Sequence, residues 1–127
     1  VFPFDDSVGT MRISGLDLRE ILRIAFAGRK VRPCQYACLR LDMHYAPNGR
    51  SVVDIRLANG DELKDDAYYG LAVPDYIYEG GDGYAFQTAK DARYVYVQLR
   101  DMLAEYLTAR QEIDAPDMSG IYRLAPF

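Results

Sequence analysis

A chain of 127 residues, 50% hydrophobic and 27% charged, is long enough to bury one core and has the balance of a globular domain. Its net charge of −4 disfavours DNA or RNA as partners, because polyanions are held by clustered Lys and Arg. The basic cluster Arg29-Lys30-Val31-Arg32 is short and reads as a solvated loop, and no apolar run approaches the length of a membrane span.

Along the chain, Val8 to Ser14 has the pattern of a strand, and Ser14 is placed to cap a following helix. Leu18, Ile21, Leu22, Ala25 and Phe26 then recur at helical spacing, with Leu16 and Ile24 widening the stripe and Gly28 stopping it. Cys34 and Cys38 would lie about 13 Å apart in an extended strand. A disulfide needs Cα atoms within about 7 Å, so the spacing predicts two free, buried thiols unless the segment bends there. Gln35 to Tyr45 reads as a strand in which Leu39, Leu41, Met43 and Tyr45 alternate with Arg40, Asp42 and His44. Pro47-Asn48-Gly49 is a turn, and Ser51 to Leu57 is a second strand with Val53, Ile55 and Leu57 on one face. Asn59-Gly60 marks another turn, and Tyr68 to Val73 another strand. Arg93 to Val97 reads as a short strand, and Leu99, Met102, Leu103, Tyr106 and Leu107 form a second helical stripe. Gly120 to Ala125 completes the set as a last strand. Strands and helices mixed without a regular β-α-β repeat predict an α+β domain.

The segment Tyr76-Ile77-Tyr78-Glu79-Gly80-Gly81-Asp82-Gly83-Tyr84 carries the most chemistry. Three glycines permit backbone angles other residues resist, so the loop can bring its main chain and one carboxylate close to a ligand. With Tyr76 and Tyr84 on either side, it suits a flat, hydrogen-bonding ligand such as a nucleobase with its ribose. The lone histidine, His44, sits on the polar face of a strand and reads as an exposed or loosely packed residue. One histidine does not make a two-metal phosphoesterase site, and no Ser-His-Asp or Cys-His arrangement is present.

Four short motifs occur in order: Pro3-Phe4, Ser14-Gly15-Leu16-Asp17-Leu18, Asn59-Gly60-Asp61-Glu62-Leu63, and Asp75-Tyr76 through Gly80-Gly81-Asp82-Gly83-Tyr84. In this order the chain resembles the C-terminal domain of the 5'-nucleotidase family, which includes UDP-sugar hydrolases and ecto-5'-nucleotidases. The resemblance implies a layered α/β/β/α domain with mixed sheets. It implies that Phe4 and Tyr76 sandwich the base of a nucleotide or nucleoside and that Asp82 contacts the ribose. Stacking is worth roughly 1–3 kcal/mol per aromatic contact. Asp6 stands where many members have Asn, Asp5 where they have Gly, and Asp75 replaces a further Asn. A carboxylate only accepts hydrogen bonds, whereas an amide also donates, so Asp6 is a weaker candidate for base contact. Tyr76 stands where Phe is commoner.

The resemblance further implies that residues 1–127 are one domain of a longer chain that begins before Val1. The missing partner is an N-terminal metallophosphoesterase domain holding two divalent metal ions and the catalytic residues. This domain alone would then hold no catalytic residue, metal or cofactor and would be inactive. The parent would release nucleoside and phosphate in the periplasm or at the cell surface. Two rival readings keep the family but change the role. In one the substrate is a cyclic nucleotide, a UDP-sugar or a non-nucleotide compound. In the other the domain is a non-catalytic homodimerisation or interaction module.

Overall fold

The computed structural model describes residues 5–27, 34–47, 49–114 and 122–124. Among the described residues, six strands and three α-helices form in the order β1 (Ser7–Ser14), α1 (Gly15–Ala27), β2 (Leu39–Ala46), β3 (Gly49–Leu57), β4 (Tyr68–Pro74), α2 (Asp75–Tyr78), β5 (Lys90–Gln98), α3 (Leu99–Arg110) and β6 (Tyr122–Leu124). A 3-10 turn, Gly81–Gly83, follows α2. The chain is thus α+β, as its mixed pattern predicts, with two three-stranded sheets. In the first sheet β1 lies between β4 and β5, antiparallel to both. In the second, β2 pairs antiparallel with β3 and parallel with β6.

One core joins the two sheets. Ile13 of β1, Leu41 and Met43 of β2, and Val52 and Ile55 of β3 meet Leu18, Leu22, Ala25 and Phe26 of α1. Burying a side chain of this size contributes about 1.5–3 kcal/mol, so this cluster is the main stabilising unit. Helix α1 starts where its sequence predicts. The Ser14 hydroxyl accepts from the Asp17 amide at 3.1 Å and donates to the Asp17 carboxylate at 2.6 Å. The amides of Gly15 and Leu16 donate to the carbonyls of Ala67 and Asp65, and Arg19 binds the Leu63 carbonyl and the Asp65 carboxylate. The first turn of α1 is therefore tied down on every side. Leu16 and Ile24, which widen the stripe in sequence, remain 58% and 45% exposed. Gly28, the expected helix stop, lies outside the described residues.

Two expectations change in the β2–β3 hairpin. The strand predicted from Gln35 begins at Leu39, because the chain bends at Ala37-Cys38 and Cys38 adopts a left-handed φ of 66°. Both thiols are free, but Cys34 is half-buried and Cys38 exposed rather than buried. In β3, the register shifts between Asp42 and Met43: Asp42 faces Asp54, and Met43 faces Val52. The bulge makes Val53 an extra residue in the ladder, and Val52 lies in the core beside Ile55. The Asn59-Gly60 turn forms as predicted, with the Asn59 side chain accepting from the Asp61 amide. His44 is half-buried on β2.

Candidate functional site

The Gly-rich loop hangs from the end of the first sheet. The β1–β4 ladder runs from Ser14↔Tyr68 to Val8↔Pro74. Pro74 has no N–H to continue it, and the chain turns into α2 at Asp75. This single helical turn was not legible from periodicity, because four residues are too few to show a period.

Tyr76 projects from α2 and is 54% exposed. Its ring lies against Gly81: a Cβ there would come within 2.6 Å of the Tyr76 ring and 2.4 Å of its carbonyl oxygen. Gly80 adopts φ 98°, which glycine takes without strain. These two glycines let the loop fold back under the ring. Asp82 also sits in the left-handed region, at φ 54°. The Tyr76 hydroxyl lies 3.4 Å from the Asp82 carboxylate and accepts from the Asp82 amide at 3.3 Å. The loop thus brings together an exposed aromatic ring and a carboxylate, the two groups to which the family resemblance gives base and ribose.

Tyr84, read in sequence as the ring on the other side of the loop, is instead a core residue, 6% exposed. Its hydroxyl accepts from the Cys34 amide at 3.1 Å, and burial pushes its phenol well above the ordinary range. It anchors the loop in the core. Phe4 lies outside the described residues. Asp6 is half-buried, and its carbonyl accepts from the Leu99 amide at 2.8 Å. Asp5 is paired with Arg100 at 2.6 Å.

A residue to which the sequence gave no role, Asp75, links the start of β1 to α2. The Asp75 carboxylate accepts from the Ser7 amide at 2.9 Å and the Ser7 hydroxyl at 2.8 Å through one oxygen. Its other oxygen accepts from the Tyr76 amide at 2.7 Å. The Ser7 amide, then the Ser7 hydroxyl, hold this carboxyl below the usual carboxylate range. The departure from Asn at this position was the only sequence signal. Behind the loop, Tyr94 donates to Glu79 at 2.8 Å, and that bond raises its phenol to about 12.

Two larger depressions lie away from this face. One of about 780 Å³ runs along Thr10, Gly70, Ala72 and Arg93 of the first sheet, and one of about 260 Å³ lies behind the loop beside Tyr78, Gly80 and Tyr84. Neither includes Tyr76 or Asp82. The exposed Tyr76 ring offers a ligand one stacking face, with the Asp82 carboxylate beside it as an acceptor. Among the described residues, no group of three or more His, Cys, Asp or Glu side chains could hold a metal ion, and no helix is long and apolar enough to cross a membrane.

Two three-stranded sheets on a shared core, with a Gly-rich loop presenting a ring and an acid, define a mixed α/β domain. The profile of the 5'-nucleotidase C-terminal domain family matches residues 1–91, and the chain belongs to that family. No curated protein sequence matches it. Among solved structures, the chain resembles a 5'-nucleotidase precursor from Thermus thermophilus, with 23% identity and a TM-score of 0.73 over 98% of this chain and 26% of that one. It resembles NAD nucleotidase from Haemophilus influenzae, with 17% identity and a TM-score of 0.76 over 98% and 25%. A third likeness is to the sulfate thiohydrolase SoxB of Thermus thermophilus, with 16% identity and a TM-score of 0.62 over 97% and 23%. At these identities the likeness shows the fold. The chain spans about a quarter of the length of each of these structures.

Proposed function

We propose that this chain is the substrate-recognition domain of a hydrolase of the 5'-nucleotidase family, and that it binds the nucleoside part of its substrate. The observation that carries this reading is the pairing of the open Tyr76 ring with Asp82 on one Gly-rich loop. Tyr76 stacks on one face of the base, Phe4 is assigned the other, and Asp82 accepts from the ribose hydroxyls. Asp6 is the weaker candidate for a base contact. Two divalent metal ions and the catalytic groups belong to a partner metallophosphoesterase domain, and the whole protein works in the periplasm or at the cell surface. Recognising the nucleoside at a distance from the reacting phosphorus supplies binding energy that positions the ester for attack.

The similar structures are named for a 5'-nucleotidase, an NAD nucleotidase and a sulfate thiohydrolase. That range supports the broader reading, a family member whose substrate extends beyond 5'-mononucleotides, better than the narrower one. A nucleoside-reading site suits a larger nucleotide derivative as well as a mononucleotide, because Tyr76 and Asp82 touch only the base and sugar.

The test is an NMR titration of the 127-residue chain with adenosine, AMP, uridine and UMP, repeated on Phe4→Ala and Tyr76→Ala. Two stacking contacts supply about 2–6 kcal/mol before ordering costs. A Kd of about 1 mM corresponds to about 4.1 kcal/mol, so millimolar binding is expected. Shifts centred on Tyr76 and Asp82, and lost in both variants, support the nucleoside reading. No shift at high millimolar nucleoside overturns it in favour of a non-nucleotide substrate.

A further inference from the structure

We propose that Asp75 is a positioning residue for the ligand site, tying the segment that enters β1 to the helical turn that carries Tyr76. This deepens the nucleoside reading and rests on it. In sequence the two segments are far apart: Ser7 and Asp75 are separated by 68 residues. Ser7 stands three residues after Phe4, and Asp75 immediately precedes Tyr76. The carboxylate therefore bridges the start of β1 and the helical turn that carries Tyr76.

The geometry explains why a side chain is needed at this point. Sheet pairing between β1 and β4 ends at Val8↔Pro74. Past it the ladder has no donor on Pro74, and α2 leaves the sheet. The Asp75 carboxylate takes over, accepting from the Ser7 amide as a strand carbonyl would, and also from the Ser7 hydroxyl. With its second oxygen it accepts from the Tyr76 amide in the first turn of α2. Three bonds of 2.7–2.9 Å to one ionised group are of the stronger, charge-assisted kind. The segment before β1 is held from the other side as well, by the Leu99 amide on the Asp6 carbonyl and by Arg100 on Asp5. Asp75 thus closes a clamp whose other jaw is the start of α3.

The chemistry also explains why the residue is an acid. Donors converge on both oxygens, and an amide has only one. Asp75→Asn keeps the shape but turns an NH2 group towards either Ser7 or the Tyr76 amide, so one side of the bridge opens. A bridge that only supported the fold would leave ligand affinity untouched once the fold was intact. A bridge that sets where the Tyr76 ring stands changes affinity while the core stays as it is.

The experiment measures adenosine affinity and core methyl spectra for the 127-residue chain and its variants. Asp75→Asn is expected to weaken adenosine about tenfold, and Ser7→Ala about threefold. Ser7→Thr, which keeps the hydroxyl, is expected to bind as the parent does. The Ser7→Ala/Asp75→Asn pair is expected to be no weaker than Asp75→Asn alone, because both act through one bridge. The methyl resonances of Ile13, Leu41 and Ile55 stay in place throughout. Unchanged affinity in Asp75→Asn overturns the inference and leaves the nucleoside reading standing, whereas absence of adenosine binding in the parent chain overturns both. Should Asp75→Asn lose its dispersed core resonances, Ser7→Ala decides, and parent-like affinity there overturns the inference.

Discussion

Helices α1 and α3 carry apolar residues at the same helical spacing, yet they are treated differently by the rest of the molecule. Leu18, Leu22, Ala25 and Phe26 of α1 are all 6% exposed or less. Met102, Leu103, Tyr106 and Leu107 of α3 are 36–48% exposed, and no residue of α3 is buried. The ends differ too. Helix α1 has a side-chain cap in Ser14, whereas Gln98 at the start of α3 makes none. Helix α3 is held at its first turn by Leu99 on the Asp6 carbonyl and Arg100 on Asp5. A hydrophobic period therefore specifies a helix and a face, but not what covers that face. Burial, not periodicity, decides how much a stripe stabilises.

The contrast can be broken most sharply in the core. Leu22→Ala should cost about 2–5 kcal/mol of unfolding free energy, since it leaves a cavity between α1 and the sheets. A loss below about 1 kcal/mol in urea unfolding would mean that α1 is no better covered than α3. Next in size, Ser14→Ala should cost about 1 kcal/mol, because the third amide of α1 loses its acceptor and Asp17 one of its donors. An unchanged urea midpoint would show the cap to be dispensable.

The acid limb of stability extends the comparison to charge. Asp17 is held below its ordinary value of 3.8, chiefly by the Ser14 hydroxyl and then by Thr88. Asp75 is lowered by Ser7. A carboxyl whose pKa is depressed in the folded state stabilises the fold above its unfolded pKa, and that contribution fades as pH falls through the folded value. Stability should therefore drop below about pH 4, and drop less steeply in Ser14→Ala than in the parent chain. Parallel acid limbs would disconnect the cap from the titration. Smallest of all, Leu103→Ala on α3 should change stability by less than about 0.5 kcal/mol, as exposed positions do. A cost above about 1 kcal/mol would show that the α3 stripe is covered in solution.

The site was partly legible. Tyr76 and Asp82 sit on a loop whose glycines announce a tight return, and the structure brings them together. Tyr84 looked equivalent to Tyr76 from its place beside the glycines, but it turns inward to meet the Cys34 amide. Asp75 carried no periodic signal, since its partner Ser7 lies 68 residues away in the chain. In the hairpin, strict alternation from Ile55 did not point to Val52 as a core residue, and the one-residue bulge brings it there. An alternating pattern has period two, so a shift of one residue exchanges the faces.

By itself the sequence determined the elements whose signals are local. These are the capped start and buried stripe of α1, the strand that feeds the loop, and the glycines that shape it. Each depends on residues within a few positions of one another, where backbone preference and side-chain spacing act directly. Only the tertiary structure decided which stripe is covered, which tyrosine faces outward, where the β2–β3 register slips and which acid bridges Ser7 to Tyr76. Those outcomes depend on contacts between residues distant in the chain, and local preference carries no information about which distant partner will arrive.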